Sequence, residues 1–81
     1  MFAIQRNDGK FLCYHDPRTG PSGFRKEDEC VNLWMHYYPS VLNRKRDQVR
    51  RIYKTRKVKV VKLTPKQLEY FTFVKLRGMR H

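Results

Sequence analysis

Cys13, His15, Cys30 and His36 supply two thiols and two imidazoles, the donor set of a tetrahedral zinc centre. Their spacing, C-x-H and then, after fourteen residues, C-x5-H, is none of the usual finger patterns. If residues 27–38 are helical, Cys30 and His36 point about 120° apart and cannot converge on one ion. Two buried thiols and two surface imidazoles are the simpler reading. Neither cysteine has the glycine-rich oxyanion turn of a nucleophile beside it. Four isolated glycines build no nucleotide fingerprint. Five of the seven acids fall in a hairpin turn, the loop after the hairpin or a helical first turn, where structure alone accounts for them. The expectation is a protein that is not an enzyme and carries no metal or cofactor.

What remains is charge. Nineteen Lys and Arg stand against seven Asp and Glu, a formal +12. Residues 1–40 hold five basic and five acidic side chains, whereas 41–81 hold fourteen basic and two acidic, so the whole excess lies in the second half. Ten of those cations fall within 44–62, with Asp47 as the one acid among them. The bland reading is a solvated face that keeps a small protein soluble. Charges this dense repel one another, however, and the repulsion costs stability unless a polyanion relieves it. Arg44, Arg46, Arg50, Arg51, Lys54, Arg56, Lys57 and Lys59 are therefore the candidate binding residues, for nucleic acid or for an acidic protein surface. Arginines outnumber lysines over the helical part, which favours forked contacts to phosphate or carboxylate. Tyr53, beside Arg50, Arg51 and Lys54, offers a stacking surface if it is exposed.

The elements that position these residues follow from local patterns. Phe2–Arg6 and Lys10–His15 flank Asp8-Gly9, which suits a tight hairpin turn. Residues 16–23, with two prolines and two glycines, form a loop. From Glu27 to Tyr38 the apolar side chains Cys30, Val31, Leu33, Trp34, Met35, Tyr37 and Tyr38 fall in an arc of about 200°, which predicts a helix that Pro39 stops. Ser40 then caps a second helix to about Lys54, with Val41, Leu42, Val49, Ile52 and Tyr53 on an apolar arc of about 120° and arginines opposite. Lys45 falls inside that arc, its stem on the core edge and its amine in water. Residues 57–63 read as a strand. Thr64-Pro65-Lys66-Gln67 carries a capping box and opens a helix over 65–77 ended by Gly78; one helical turn followed by a strand is the alternative.

Two nucleic-acid motifs fit poorly. The helices at 27–38 and 40–54 suggest a helix-turn-helix, but Pro-Ser is shorter than its usual turn, and an all-basic outer face suits phosphates better than base edges. Phe71-Thr72-Phe73-Val74-Lys75-Leu76 faintly resembles the aromatic strand of RNA-recognition motifs, without that motif's basic residue and glycine.

Eighty-one residues sustain one modest core, and eleven aromatic rings help to fill it. The expected fold is α+β, a single domain over 1–81 in which the N-terminal hairpin and strand 57–63 form a small antiparallel sheet packed against two or three helices. Residues 1–40 act as a neutral scaffold and 41–81 as the basic half. No run is apolar enough to span a membrane, and the first residues lack the features of a signal peptide, so a cytoplasmic chain with Cys13 and Cys30 reduced is expected.

The order of the opening "MFAIQRNDGKFL", a Gly-Phe after a loop, the segment Glu-Asp-Glu-Cys-Val-Asn-Leu-Trp, a helix and the strand "KVKVVKL" resembles short proteins encoded by tailed bacteriophages. The resemblance covers residues 1–63 and departs in its arginine density and in the tail from Thr64. It implies expression in a bacterial host's cytoplasm and a role in host takeover or phage regulation. Two functions are thus expected in turn: non-enzymatic binding of DNA or RNA through phosphates with little base readout, or inhibition or adaptation of a host protein through an acidic patch on it.

Overall fold

A computed structural model describes residues 1–17 and 20–74. Five strands form one antiparallel sheet: β1 (Phe2–Arg6), β2 (Phe11–Cys13), β3 (Gly23–Arg25), β4 (Met35–His36) and β5 (Val58–Lys62). Helix α1 (Pro39–Ile52) lies between β4 and β5, and α2 (Pro65–Glu69) runs into a π-helical turn at Tyr70–Val74. The α+β architecture is the one expected.

The hairpin forms where the local chemistry demands it. Gly9 takes a φ of +89°, and the Arg6 N–H donates to the Lys10 carbonyl at 2.8 Å across the turn. β1 is the hub of the sheet. All five of its residues pair with β5, from Phe2↔Lys62 to Arg6↔Val58. A strand has only two edges, so β2, paired at Gln5↔Phe11, and β4, paired at Phe2↔His36 and Ala3↔Met35, share the other.

Both faces of this sheet are covered, and side chains alternate between them with period two. Ala3, Phe11, Cys13, Leu33 and Leu63 join Cys30 and Phe71 on one side; Ile4, Leu12 and Val58 meet Leu42 and Val49 of α1 on the other. Full burial of Leu42 and Val49 stabilises the α1 contact by about 1.5–3 kcal/mol each.

The helix expected over 27–38 does not form. A single turn closes at Cys30, where the Glu29 and Cys30 N–H groups both donate to the Lys26 carbonyl. Beyond it the chain runs extended along β2: the Tyr14 N–H donates to the Asn32 carbonyl and the Trp34 N–H to the Leu12 carbonyl. Leu33 and Met35 join one apolar cluster and Trp34 the other. A run that feeds two covered faces looks, on a helical wheel, like one broad apolar arc. The helix-turn-helix reading falls with that helix.

Pro39 therefore opens a helix where it was expected to close one. It occupies the first position of α1, the N-cap is Tyr38 in place of Ser40, and no side chain caps it. Of the apolar arc, only Leu42 and Val49 are buried, while Val41, Ile52 and Tyr53 are exposed. At the other end the chain leaves α1 through a Schellman turn: the Thr55 N–H donates to the Arg50 carbonyl at 3.1 Å, and Lys54 adopts φ +51° where glycine is the usual occupant.

Cys13 and Cys30 are joined in a disulfide, with Cα atoms 6.0 Å apart, and are not the reduced thiols expected. The bond takes both sulfurs out of any zinc site. Thr64 and Gln67 make the capping box, each side chain accepting from the other's backbone N–H. Helical structure continues through Val74, so Phe71–Val74 is not a strand, and Phe71 packs edge-on to Phe11 at 5.6 Å. Residues 75–77 of the expected helix, and Gly78, lie outside the described residues. Among the described residues no helix is long and apolar enough to cross a membrane.

Candidate nucleic-acid interface

The pairing of β1 with β5 sets the geometry of the basic band. Where the two strands meet the hairpin turn, the Asn7 N–H donates to the Lys57 carbonyl at 2.9 Å, drawing the turn against the segment that leads into β5. A groove of ≈ 460 Å³ lies there, with the turn on one side and the end of α1 on the other. Arg6, Arg50, Arg56, Lys57 and Lys59 line it, together with Gln5, Asn7, Gly9 and Val58. Among the described residues five cations and no carboxylate line the space, with Asp8 beside it on Arg6.

Two of the five are held in place. Arg50 donates from Nη2 to the Val58 carbonyl at 2.8 Å, its Nη1 stands 3.9 Å from Asp47, and its Nε is buried without a hydrogen bond. Arg6 forks onto Asp8, Nη2 to Oδ2 at 2.8 Å and Nε to Oδ1 at 3.1 Å, and its guanidinium lies 4.9 Å from the centre of the Phe24 ring. The hydrogen bond from Arg6 is the main cause that lowers the Asp8 carboxyl to about 2; the same bond holds Arg6 firmly charged. Arg56, Lys57 and Lys59 make no ion pair among the described residues.

The remaining predicted residues do not enter the groove. Arg44, Arg51 and Lys54 are exposed on the outer side of α1 and at its exit. Arg46 turns to Asp47, Nε to Oδ1 at 3.3 Å. Cations in the last turn suit the negative end of the helix dipole, which accounts for Arg50 and Arg51 without any ligand. It does not account for Arg56, Lys57 and Lys59.

Known protein families, curated proteins and solved structures offer no match to this chain.

Arg6 is the groove residue that the sequence pattern missed. It lies in the neutral half and comes to the basic band only through its register opposite Val58. Tyr53 is 42% exposed and sits edge-on to Phe24 at 5.3 Å, next to the ring that underlies Arg6. Lys45 is half-buried: its ammonium lies 4.0 Å from the centre of the Trp34 ring and donates to Gln48 Oε1 at 3.2 Å. Among the described residues no three His, Cys, Asp or Glu gather as metal ligands.

Proposed function

We propose that the protein binds nucleic acid through its phosphates, with little base readout and without catalysis. The observation that carries this reading is the groove in which five cations converge with no carboxylate lining it among the described residues. Two arginines are preset by hydrogen bonds, and three further cations have no counter-ion among the described residues, an arrangement suited to successive phosphates. The groove's other polar groups are amides, which bind but neither attack nor transfer protons. The outer cations Arg44, Arg51 and Lys54 extend the same positive surface along α1.

The salt dependence tests the reading quantitatively. Phosphate contacts by the three unpaired cations alone release counterions with a slope of about −2 on a single strand and about −2.7 on a duplex, so affinity falls at least roughly 20- to 40-fold between about 50 and 200 mM salt. Fluorescence anisotropy with labelled oligonucleotides measures it. No binding to DNA or RNA at 50 mM salt sinks the proposal, and one stoichiometric protein captured from nuclease-treated lysate would move the assignment to an acidic protein surface. A cytoplasmic placement belongs to the reading, with the Cys13–Cys30 bond against it, since disulfides persist mainly in oxidising compartments. Thiol counting on freshly lysed cells decides that point.

A further inference from the structure

Two tyrosines at the opposite end of α1 hold their rings out to solvent. Tyr37 is 75% exposed and Tyr38 65%. Trp34 shows what a ring in use by the fold looks like here. Tyr14 stacks on it at 3.9 Å and 13°, while the Lys45 ammonium stands 4.0 Å from the same ring centre. The two cannot share one face at those distances, so both faces of Trp34 are taken. Tyr37 has no ring partner among the described residues, and Tyr38 has only a tilted contact to His36 at 5.8 Å.

The backbone beneath these rings is fixed. The Tyr38 N–H donates to His36 Nδ1 at 3.0 Å, Tyr38 is extended, and Pro39 locks the next residue into the helix. Tyr37 lies at a bend and Tyr38 is the extended residue that follows it, so both rings sit where the chain turns into α1. A tyrosine ring on a rigid backbone loses little freedom when something stacks on it.

The way from these rings to the groove runs over cations. Along a helix each step of three residues turns the surface by about 60°, so the row Tyr38, Val41, Arg44 winds from the tyrosines onto the basic side. The row continues through Asp47 to Arg50 at the groove, about 18 Å along the axis from Tyr38, and Arg51, seven residues on from Arg44, lies on the same side as Arg44. The one acid on the way, Asp47, is engaged by Arg46 and Arg50.

Resting on the phosphate-binding reading, we propose that Tyr37 and Tyr38 are a base-stacking platform, and that the ligand is single-stranded nucleic acid whose backbone crosses α1 from the groove to these rings. A duplex keeps its base faces stacked internally and cannot use exposed rings, whereas a single strand offers them freely and gains roughly 5- to 150-fold per stacked base. The positive path that joins the rings to the groove selects a polyanion that also carries flat apolar groups.

The test compares a twelve-nucleotide single strand with a twelve-base-pair duplex, by anisotropy at about 50 mM salt, on wild type, Tyr37→Ala, Tyr38→Ala, Tyr38→Trp and Lys57→Ala/Lys59→Ala. Both tyrosines are exposed, so the melting temperature stays unchanged and serves as the folding control. The expected result is a wild-type preference for the single strand, a loss of at least fivefold on the single strand alone in each alanine variant, retention in Tyr38→Trp, and a loss on both ligands in the lysine variant. Alanine variants that bind the single strand like wild type, while the lysine variant fails, overturn the platform and leave phosphate binding standing. Wild type that binds neither ligand overturns both.

Discussion

Reducing the Cys13–Cys30 disulfide is expected to remove a large part of the stability. The bond spans a separation of 17 residues, and that loop contains β3, a three-residue edge strand. Releasing a loop of this size returns about 3 kcal/mol of conformational entropy to the unfolded chain. Small domains are held by roughly 5–15 kcal/mol, and this one, with 81 residues, belongs at the lower end. For its size, 3 kcal/mol corresponds to a fall in melting temperature of about 12–24 °C. Thermal unfolding followed by circular dichroism, with and without reductant and with the thiols titrated in each sample, measures the shift. Hydrogen exchange should show where the loss falls: amides of β3 open early, while those of α1 and β5 stay protected until global unfolding. Because Phe24 of β3 lies under Arg6, reduction should also weaken oligonucleotide binding. A midpoint that moves by less than about 4 °C after full reduction would refute the argument, because the loop would then have to be ordered without its tie.

Three further outcomes follow from single side chains. Lys54→Gly relieves a left-handed backbone and should raise stability by about 1 kcal/mol in denaturant titration, even though it removes a cation from the proposed surface. Asp47→Asn takes the acid out of the arginine face and should tighten oligonucleotide binding roughly 2- to 5-fold, as expected for one exposed charge, without changing ligand preference. The Asp8 carboxyl is lowered from 3.8 to about 2 in the folded chain, so its contribution to stability is complete above about pH 4 and is lost as the pH falls through about 2. Acid titration of Asp8→Asn should accordingly show a shallower decline between pH 4 and 2 than wild type, and equal slopes would show that the Arg6–Asp8 fork does not couple to folding.

How far the fold could be read from the sequence depended on how local each determinant is. The hairpin at Asp8-Gly9, the capping box of Thr64 and Gln67 and the β-branched run of β5 each carry their cause within a few residues, and each forms. The stretch from Glu27 to Tyr38 does not, because its conformation is decided by the edge of β2 that β3 leaves open, where Asn32 and Trp34 find their hydrogen bonds. Charge density located the band at 44–62 but not its shape. Arg50, Arg56, Lys57 and Lys59 converge, whereas Arg44, Arg46, Arg51 and Lys54 stay outside, and Arg6 arrives from a strand some fifty residues earlier. The disulfide was equally illegible, since two cysteines in a short chain do not reveal whether their Cα atoms meet.

The ladder between β1 and β5 has a consequence for the order in which this chain can assemble. Each of its five pairs joins residues more than fifty positions apart, the kind of contact that is reached slowly because a long loop must close first. Until Val58–Lys62 docks, β1 lacks the partner along a whole edge, and Asn7 has no Lys57 carbonyl to donate to. The groove is therefore a late product of folding: a partly folded chain carries the same positive charges strung out along it, and only zipping of the last strand gathers Arg6 and the cations of β5 into one place. On the proposed reading, affinity for a phosphate chain and completion of the sheet are a single event, and a nucleic-acid ligand should speed or stabilise the final step of folding.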